Sequence, residues 1–243
     1  MNLAIDIGNT RTKFGFFKGE NLVKKLILAK WTLADLKELL SNQKVQHVIY
    51  SSVKDEQQRI QNYLEDYGFF VKLDSETPLP IRNLYETPKT LGKDRLAAVV
   101  GAHTLFPNES CLVIDAGTCT TYDLIDAQGN YLGGNITPGL AMRFRAMQHF
   151  TAKLPLVSAP LQIKRDIGKN TLEALKLGGG LGNILEMEGW IAWYQHKFNG
   201  INTILTGGDA EYFGKRLKTK IFANTNLVLI GLNKILNHNV ELL

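Results

Sequence analysis

The sequence predicts an α/β fold built from two halves with a similar order of elements. Two short apolar runs each end in an Asp followed by a glycine turn. The first reads Leu3-Ala-Ile-Asp6-Ile-Gly8-Asn9-Thr10, and the second, 109 positions later, reads Leu112-Val-Ile-Asp115-Ala-Gly117-Thr118. After each, the pattern runs strand, turn and strand again. Helical segments then alternate with further strands, which argues for mixed α/β layers.

The first half opens with a strand over 2–7 and a second from Lys13 to Phe17, joined to a third, Leu22 to Ala29, by the turn Lys18-Gly19-Glu20-Asn21. Thr32-Leu-Ala-Asp35 resembles a helix-start box, and Leu33, Leu36, Leu39 and Leu40 form a helical stripe. Val45 to Tyr50 is a strand. Lys54 to Tyr67 is a helix closed by Gly68, and Phe69 to Leu73 is a strand. Residues 74–90, with Pro78, Pro80 and Pro88, read as a loop. Asp94 to Leu105 is a helix with Leu96, Val99 and Val100 on one apolar side.

The second half repeats the opening. Strands are expected at Leu112 to Asp115, Thr120 to Ile125 and Tyr131 to Ile136, with Asp126-Ala-Gln-Gly129-Asn130 as a turn. Pro138 is expected to open a helix, a position proline favours. Thr171 to Phe198 is largely helical, but Gly178-Gly179-Gly180 and Gly182 imply a break or a close approach. Ile201 to Leu205 is a buried strand, followed by a helix from Ala210 to Leu217. Ile221 to Ala223 is a short strand, and Leu227 to Leu236 is the closing helix. The halves divide at 1–108 and 109–243, and the crevice between two such halves is a natural ligand site.

Composition narrows the function. The 243 residues are 44% hydrophobic, enough for a sizeable core. No apolar run approaches the roughly 20 residues of a membrane helix. The N-terminus runs straight into a strand, without the pattern of a secretory signal, so a cytoplasmic location is expected. Cys111 and Cys119 are too few for a disulfide framework and wrongly spaced for a zinc site. The net charge is +5, yet 15 basic and 12 acidic residues in 1–108 stand against 13 and 11 in 109–243. Charge spread so evenly is not the concentrated footprint of a nucleic-acid binder.

The chemistry is carried by the paired turns, because the common nucleotide fingerprints Gly-x-x-x-x-Gly-Lys-Ser/Thr and Gly-x-Gly-x-x-Gly are missing. Backbone N–H groups and hydroxyls in such turns suit phosphate oxygens, and an Asp suits a hydrated cation. A buried carboxylate at a strand end needs a partner. That partner is either the turn's own N–H groups or a ligand, and two copies favour a ligand. Lys13 reads as a point charge for phosphate or as an exposed strand lysine. Gly92-Lys93-Asp94-Arg95 reads as a helix start, where Asp complements the dipole while Arg95 opposes it. Thr206-Gly207-Gly208-Asp209 reads as a tight strand–helix turn or as room for a flat or anionic group.

Taken together, Asp6-Ile-Gly-Asn-Thr10, Asp115-Ala-Gly-Thr118, Gly-Lys-Asp-Arg at 92–95, Gly133-Gly134-Asn-Ile-Thr-Pro138-Gly139 and Thr206-Gly-Gly resemble the type III pantothenate kinases over almost the whole length. Cys119, where Ala is more usual, and Thr12, where an apolar residue is common, are small departures. The resemblance implies a duplicated ribonuclease-H-like fold of the actin-like ATPase superfamily. It also implies a homodimer with the substrate site at the subunit interface, and ATP-dependent phosphorylation of pantothenate.

Carried over, Asp6, Ile7, Gly8, Asn9, Thr10, Arg11, Thr12 and Lys13 would bind ATP, as would Thr118. Asp115 would hold a monovalent cation, K⁺ or NH₄⁺, beside Mg²⁺ with ATP. Asp94 would be the general base. Tyr85, Gly92, Lys93, Asp94 and Arg95 would bind pantothenate, with Thr171 reaching it from the neighbouring subunit. Two alternatives remain: a non-catalytic nucleotide-binding regulator of the same fold, and a superfamily kinase for another small hydroxylated substrate.

Overall fold

A computed structural model describes residues 1–41, 43–53, 58–158 and 165–243. Its elements are β1 (Asn2–Ile7), β2 (Thr12–Lys18), β3 (Asn21–Leu28), α1 (Leu33–Ser41), β4 (His47–Ser52), α2 (Gln58–Tyr67), β5 (Phe69–Lys72), β6 (Arg82–Asn83), α3 (Lys93–Leu105), β7 (Cys111–Ala116), β8 (Cys119–Ile125), β9 (Asn130–Pro138), α4 (Leu140–His149), α5 (Thr171–Lys176), α6 (Gly182–Lys197), β10 (Asn202–Thr206), α7 (Ala210–Gly214), β11 (Phe222–Ala223) and α8 (Leu227–Glu241). The first residues expected in the helix at 54–67, Lys54 to Gln57, lie outside the described residues.

The two sheets share one strand order. The first runs β3-β2-β1-β4-β5 and the second β11-β10-β7-β8-β9-β6. Reversed, the second reads β9-β8-β7-β10-β11 with β6 added at one edge, so each Asp turn follows the central strand of its own sheet. In the first sheet β1 pairs antiparallel with β2 and parallel with β4. In the second, β7 pairs parallel with β10. All six residues of β1 are buried, as a strand covered on both faces requires. Edge strand β3 is mostly exposed and carries Lys24 and Lys25, charges that discourage further pairing.

Compactness divides the chain differently from a cut after residue 108. One unit comprises Met1–Glu109, Ile125–Gly133 and Asn226–Leu243; the other comprises Ser110–Leu124 and Gly134–Thr225. The first is built on Leu3, Ile5, Ile7, Phe14, Phe16, Leu36, Leu40 and their neighbours. Helix α8 joins it by packing along α3. A side chain at Gly101 would strike the Leu227 carbonyl, and one at Gly231 would strike that of Ala97, so the two backbones touch. Asn2, on β1, donates to Asn233 Oδ1 at 3.0 Å and Asn237 Oδ1 at 2.6 Å. The second unit is built on Leu112, Ile114, Tyr122, Phe144, Met187, Ile191, Leu205 and Phe213.

Several expectations change. Helix α3 is buried continuously from Arg95 to Ala102 rather than along one side, because α8 and β4 both pack against it. Pro138 ends β9 instead of opening a helix; α4 begins at Leu140 with Gly139 as its cap. The glycines at 178–182 do not break the rod. They form a π-helical turn, Leu177–Leu181, between α5 and α6, where a side chain at Gly179 would meet the Phe144 ring at 2.5 Å. The loop at 74–90 holds β6 and a 3-10 turn over Pro88–Thr90. The start box of α1 forms as expected: Thr32 N–H donates to Asp35 Oδ2 at 2.7 Å and Asp35 N–H donates to Thr32 Oγ1 at 3.3 Å.

Candidate active site

The first unit holds all of the expected site residues except Asp115, Thr118 and Thr171. β1 delivers Asp6 to its C-terminal end, where only 6% of the residue is exposed. Across the β1–β2 pair it stands in register with Lys13, whose Nζ lies 3.9 Å from Asp6 Oδ2. Burial pushes the Asp6 carboxyl up to about 6; Lys13 pulls it down and the nearby charge of Asp94 pushes it up again. Asp94 lies 88 positions later in the chain, so this juxtaposition is made by the fold alone. Between the strands, Gly8 N–H donates to the Arg11 carbonyl at 3.1 Å and closes the turn. Asn9, Thr10 and Arg11 are exposed along it.

Ile7 and Thr12 differ from their neighbours. Ile7 belongs to the apolar core, so only its backbone faces outward chemistry. The Thr12 hydroxyl accepts from Trp31 Nε1 at 2.8 Å.

Asp94 occupies the first turn of α3, after the cap residue Gly92, and its Oδ1 accepts from the Arg95 N–H at 2.8 Å. A side chain at Gly92 would come within 2.7 Å of that oxygen. Arg95, unfavourable for the helix dipole, is 6% exposed, and its guanidinium carbon stands 5.5 Å from the Tyr85 ring centroid. A cation over an aromatic face compensates the position. Lys93 is half-buried beside them.

The second unit holds the other turn. β7 delivers Asp115 in parallel register with Thr206 of β10. Gly117 N–H donates to the Cys119 carbonyl at 3.0 Å, Gly139 N–H to the Thr118 carbonyl at 3.2 Å, and Asp209 N–H to the Ala116 carbonyl at 2.9 Å. Gly207 has φ +100, and a side chain there would meet Asp115 Oδ1 and the Ala116 backbone at 2.5 Å. Burial raises the Asp209 carboxyl above its ordinary value. Thr118 is exposed on the turn. Thr171 is on another element: it begins α5 after Asn170, whose side chain accepts the Glu173 N–H at 2.9 Å.

Sequence reasoning missed what stands behind Tyr85. Tyr131 stacks on it, with centroids 6.0 Å apart and planes 13° apart. The only signal was Tyr131 at the start of a predicted strand. Among the described residues no group of three or more His, Cys, Asp or Glu could by itself hold a metal.

Comparison with known proteins agrees with this architecture. A type III pantothenate kinase of Bacteroides fragilis is 46% identical over 240 residues, 98% of each chain. Among solved structures, a Baf family transcriptional activator from Campylobacter jejuni superposes with a TM-score of 0.64 at 24% identity, covering 98% of this chain and 99% of that one. An inorganic polyphosphate/ATP-glucomannokinase from Arthrobacter superposes with a TM-score of 0.52 at 13% identity over 98% of each chain. These last two speak to fold alone, a duplicated ribonuclease-H-like fold. With two Asp turns on equivalent strands, a Gly-Lys-Asp-Arg helix start, near-full-length relatives and a match of residues 2–192 to the type III pantothenate kinase family model, the chain belongs to the type III pantothenate kinase family.

Proposed function

We propose that Asp94 is the general base in ATP-dependent phosphorylation of pantothenate, the reaction of this family and the first step of coenzyme A biosynthesis. Asp94 accepts the proton of the primary hydroxyl. The hydroxyl oxygen bonds to the γ-phosphorus, the bond from that phosphorus to the β–γ bridging oxygen breaks, and ADP leaves. The transition state is loose, so positioning and charge neutralisation supply most of the acceleration. The reading is supported by one observation: the charge of Asp94 helps to raise the Asp6 carboxyl, so the proposed base and the first Asp turn act on one another across 88 positions of chain. Lys13 and the N–H groups of residues 9–11 would hold phosphate oxygens, with Thr118 contributing from the second turn. Tyr85, Gly92, Lys93 and Arg95 would contact pantothenate.

A kinase of this family uses ATP with a divalent metal. We take that metal to be Mg²⁺. Asp6 fits it: a hard oxygen donor whose ionisation a nearby divalent ion favours. Bound with ATP, Mg²⁺ neutralises charge developing on the phosphates. Asp115, an oxygen donor beside the Ala116–Thr118 turn, fits K⁺ or NH₄⁺.

A homodimer, with Thr171 completing the partner's substrate site, is supported by exposed apolar residues in the second unit. These include Ile136, Leu172, Leu185 and Trp193, the last 63% exposed. No helix among the described residues is long and apolar enough to cross a membrane. We place the enzyme in the cytoplasm, free of membrane and nucleic acid.

The test is Asp94→Asn. Pantothenate-dependent ADP release should fall by about 10²–10⁴-fold while ATP binding persists. Undiminished turnover would remove Asp94 from the chemistry.

A further inference from the structure

We propose that Tyr131 and Asn83 are positioning residues for pantothenate, holding Tyr85 and, through it, Arg95 in the geometry that receives the substrate. The inference rests on the assignment of Tyr85 and Arg95 to the pantothenate site.

The segment that carries Tyr85 has little of its own to fix it. It follows β6, a strand of two residues, and most of its side chains are exposed. A short exposed segment held by few contacts opens easily. What fixes it comes from the start of β9. Arg82 and Asn83 pair in parallel with Asn130 and Tyr131. Leu84 N–H donates to the Tyr131 carbonyl at 3.0 Å. Tyr85 N–H donates to Asn83 Oδ1 at 3.0 Å, an Asx turn that aims the next side chain.

The ring of Tyr131 completes the support. It is wholly buried. Tyr85 lies on it nearly parallel, and the Arg95 guanidinium in turn lies against Tyr85. One buried ring thus backs a half-exposed ring, and that ring orients a buried cation one residue past Asp94. Aromatic stacking and cation–π contacts have directional preferences. Removing the back ring therefore takes away the support of the Tyr85 ring that lies against Arg95. Small displacements of substrate-positioning groups are costly in rate.

The expected signature is selective. Steady-state ADP release is measured while pantothenate and ATP are varied in turn, for the full-length enzyme and five variants. Tyr131→Leu and Asn83→Ala should each raise KM for pantothenate roughly tenfold. KM for ATP should stay within about twofold of the parent. Tyr131→Phe, which keeps the ring, and Asn83→Asp, which keeps the acceptor, should restore the parent value.

Tyr85→Ala separates the two layers of the argument. If it raises KM for pantothenate and neither Tyr131→Leu nor Asn83→Ala does, the positioning role is overturned while the Tyr85 assignment stands. If Tyr85→Ala leaves KM for pantothenate unchanged, that assignment fails and the inference falls with it. Parallel rises in both KM values would also overturn the proposal, since a general loss of structure moves both. Should Tyr131→Leu fail to fold, Asn83→Ala, at a half-exposed position, decides alone.

Discussion

The two Asp turns have nearly the same sequence and sit on equivalent strands, yet their surroundings differ. Asp6 faces a lysine across an antiparallel pair and feels a second carboxylate, Asp94. Asp115 faces Thr206 across a parallel pair and has the Gly207 backbone against it. The second turn closes one residue sooner, Gly117 to Cys119 against Gly8 to Arg11, so the place of Lys13 falls on Thr121, which carries no charge. The second copy thus keeps the carboxylate and replaces the cation that stands over it. On the proposed reading one motif is set to two tasks by its neighbours: Asp6 with Lys13 would serve phosphate and divalent charge, and Asp115 would hold a cation of its own.

Within the two turns, the largest expected effect is at Asp6. Asp6→Asn should lower turnover by about 10²–10³-fold, the scale for losing one organised electrostatic group. A weaker loss there than at Asp115 would reverse the division of labour. Next is Gly207→Ala. Its strained φ alone costs roughly 1–3 kcal/mol, and the new methyl would push on the Ala116 backbone, so a lower melting temperature and weaker ATP binding are expected together. Asp115→Asn should follow, raising the K⁺ concentration needed for half-activation by about 10–100-fold. K⁺ titration of ADP release measures this, and an unchanged K⁺ response would remove the cation from the second turn.

The smallest effect concerns stability. The Asp6 carboxyl is raised from 3.8 to about 6 on folding. A raised carboxylate makes the folded state bind its proton more tightly, so stability is lost as pH rises from about 4 to about 6. Asp6→Asn, which carries no charge to desolvate, should therefore be more stable than the parent without ligands at pH 7, by on the order of 1–2 kcal/mol. The advantage should shrink toward pH 4. Melting curves across that range would show it, and a pH-independent difference would contradict it. In the parent, kcat/KM for ATP should also fall as pH drops through about 6.

Much of this was legible in the sequence because its signals are local. Apolar runs ending in Asp-x-Gly marked β1 and β7, and the Thr32–Asp35 box marked α1. Features made by partners far along the chain were not. β6 exists because Asn130 and Tyr131 are beside it, and two residues carry no periodicity to read. The all-round burial of α3 depends on Gly231, 130 positions from its contact at Gly101. Arg95 looked misplaced by the dipole until Tyr85 lay against it. The Asp6–Asp94 proximity that defines the candidate site left no trace in spacing.

The packing of α8 on α3 has a consequence for synthesis. The helix that presents Asp94 is flanked by residues 227–241, which are made after every residue proposed for chemistry. A nascent chain carrying every residue proposed for chemistry still has one side of α3 bare. Contacts of such long sequence separation form slowly. The first unit therefore closes only once α8 has been made, and catalytic competence should appear only then, with the exposed flank of α3 a natural target for a chaperone until that point.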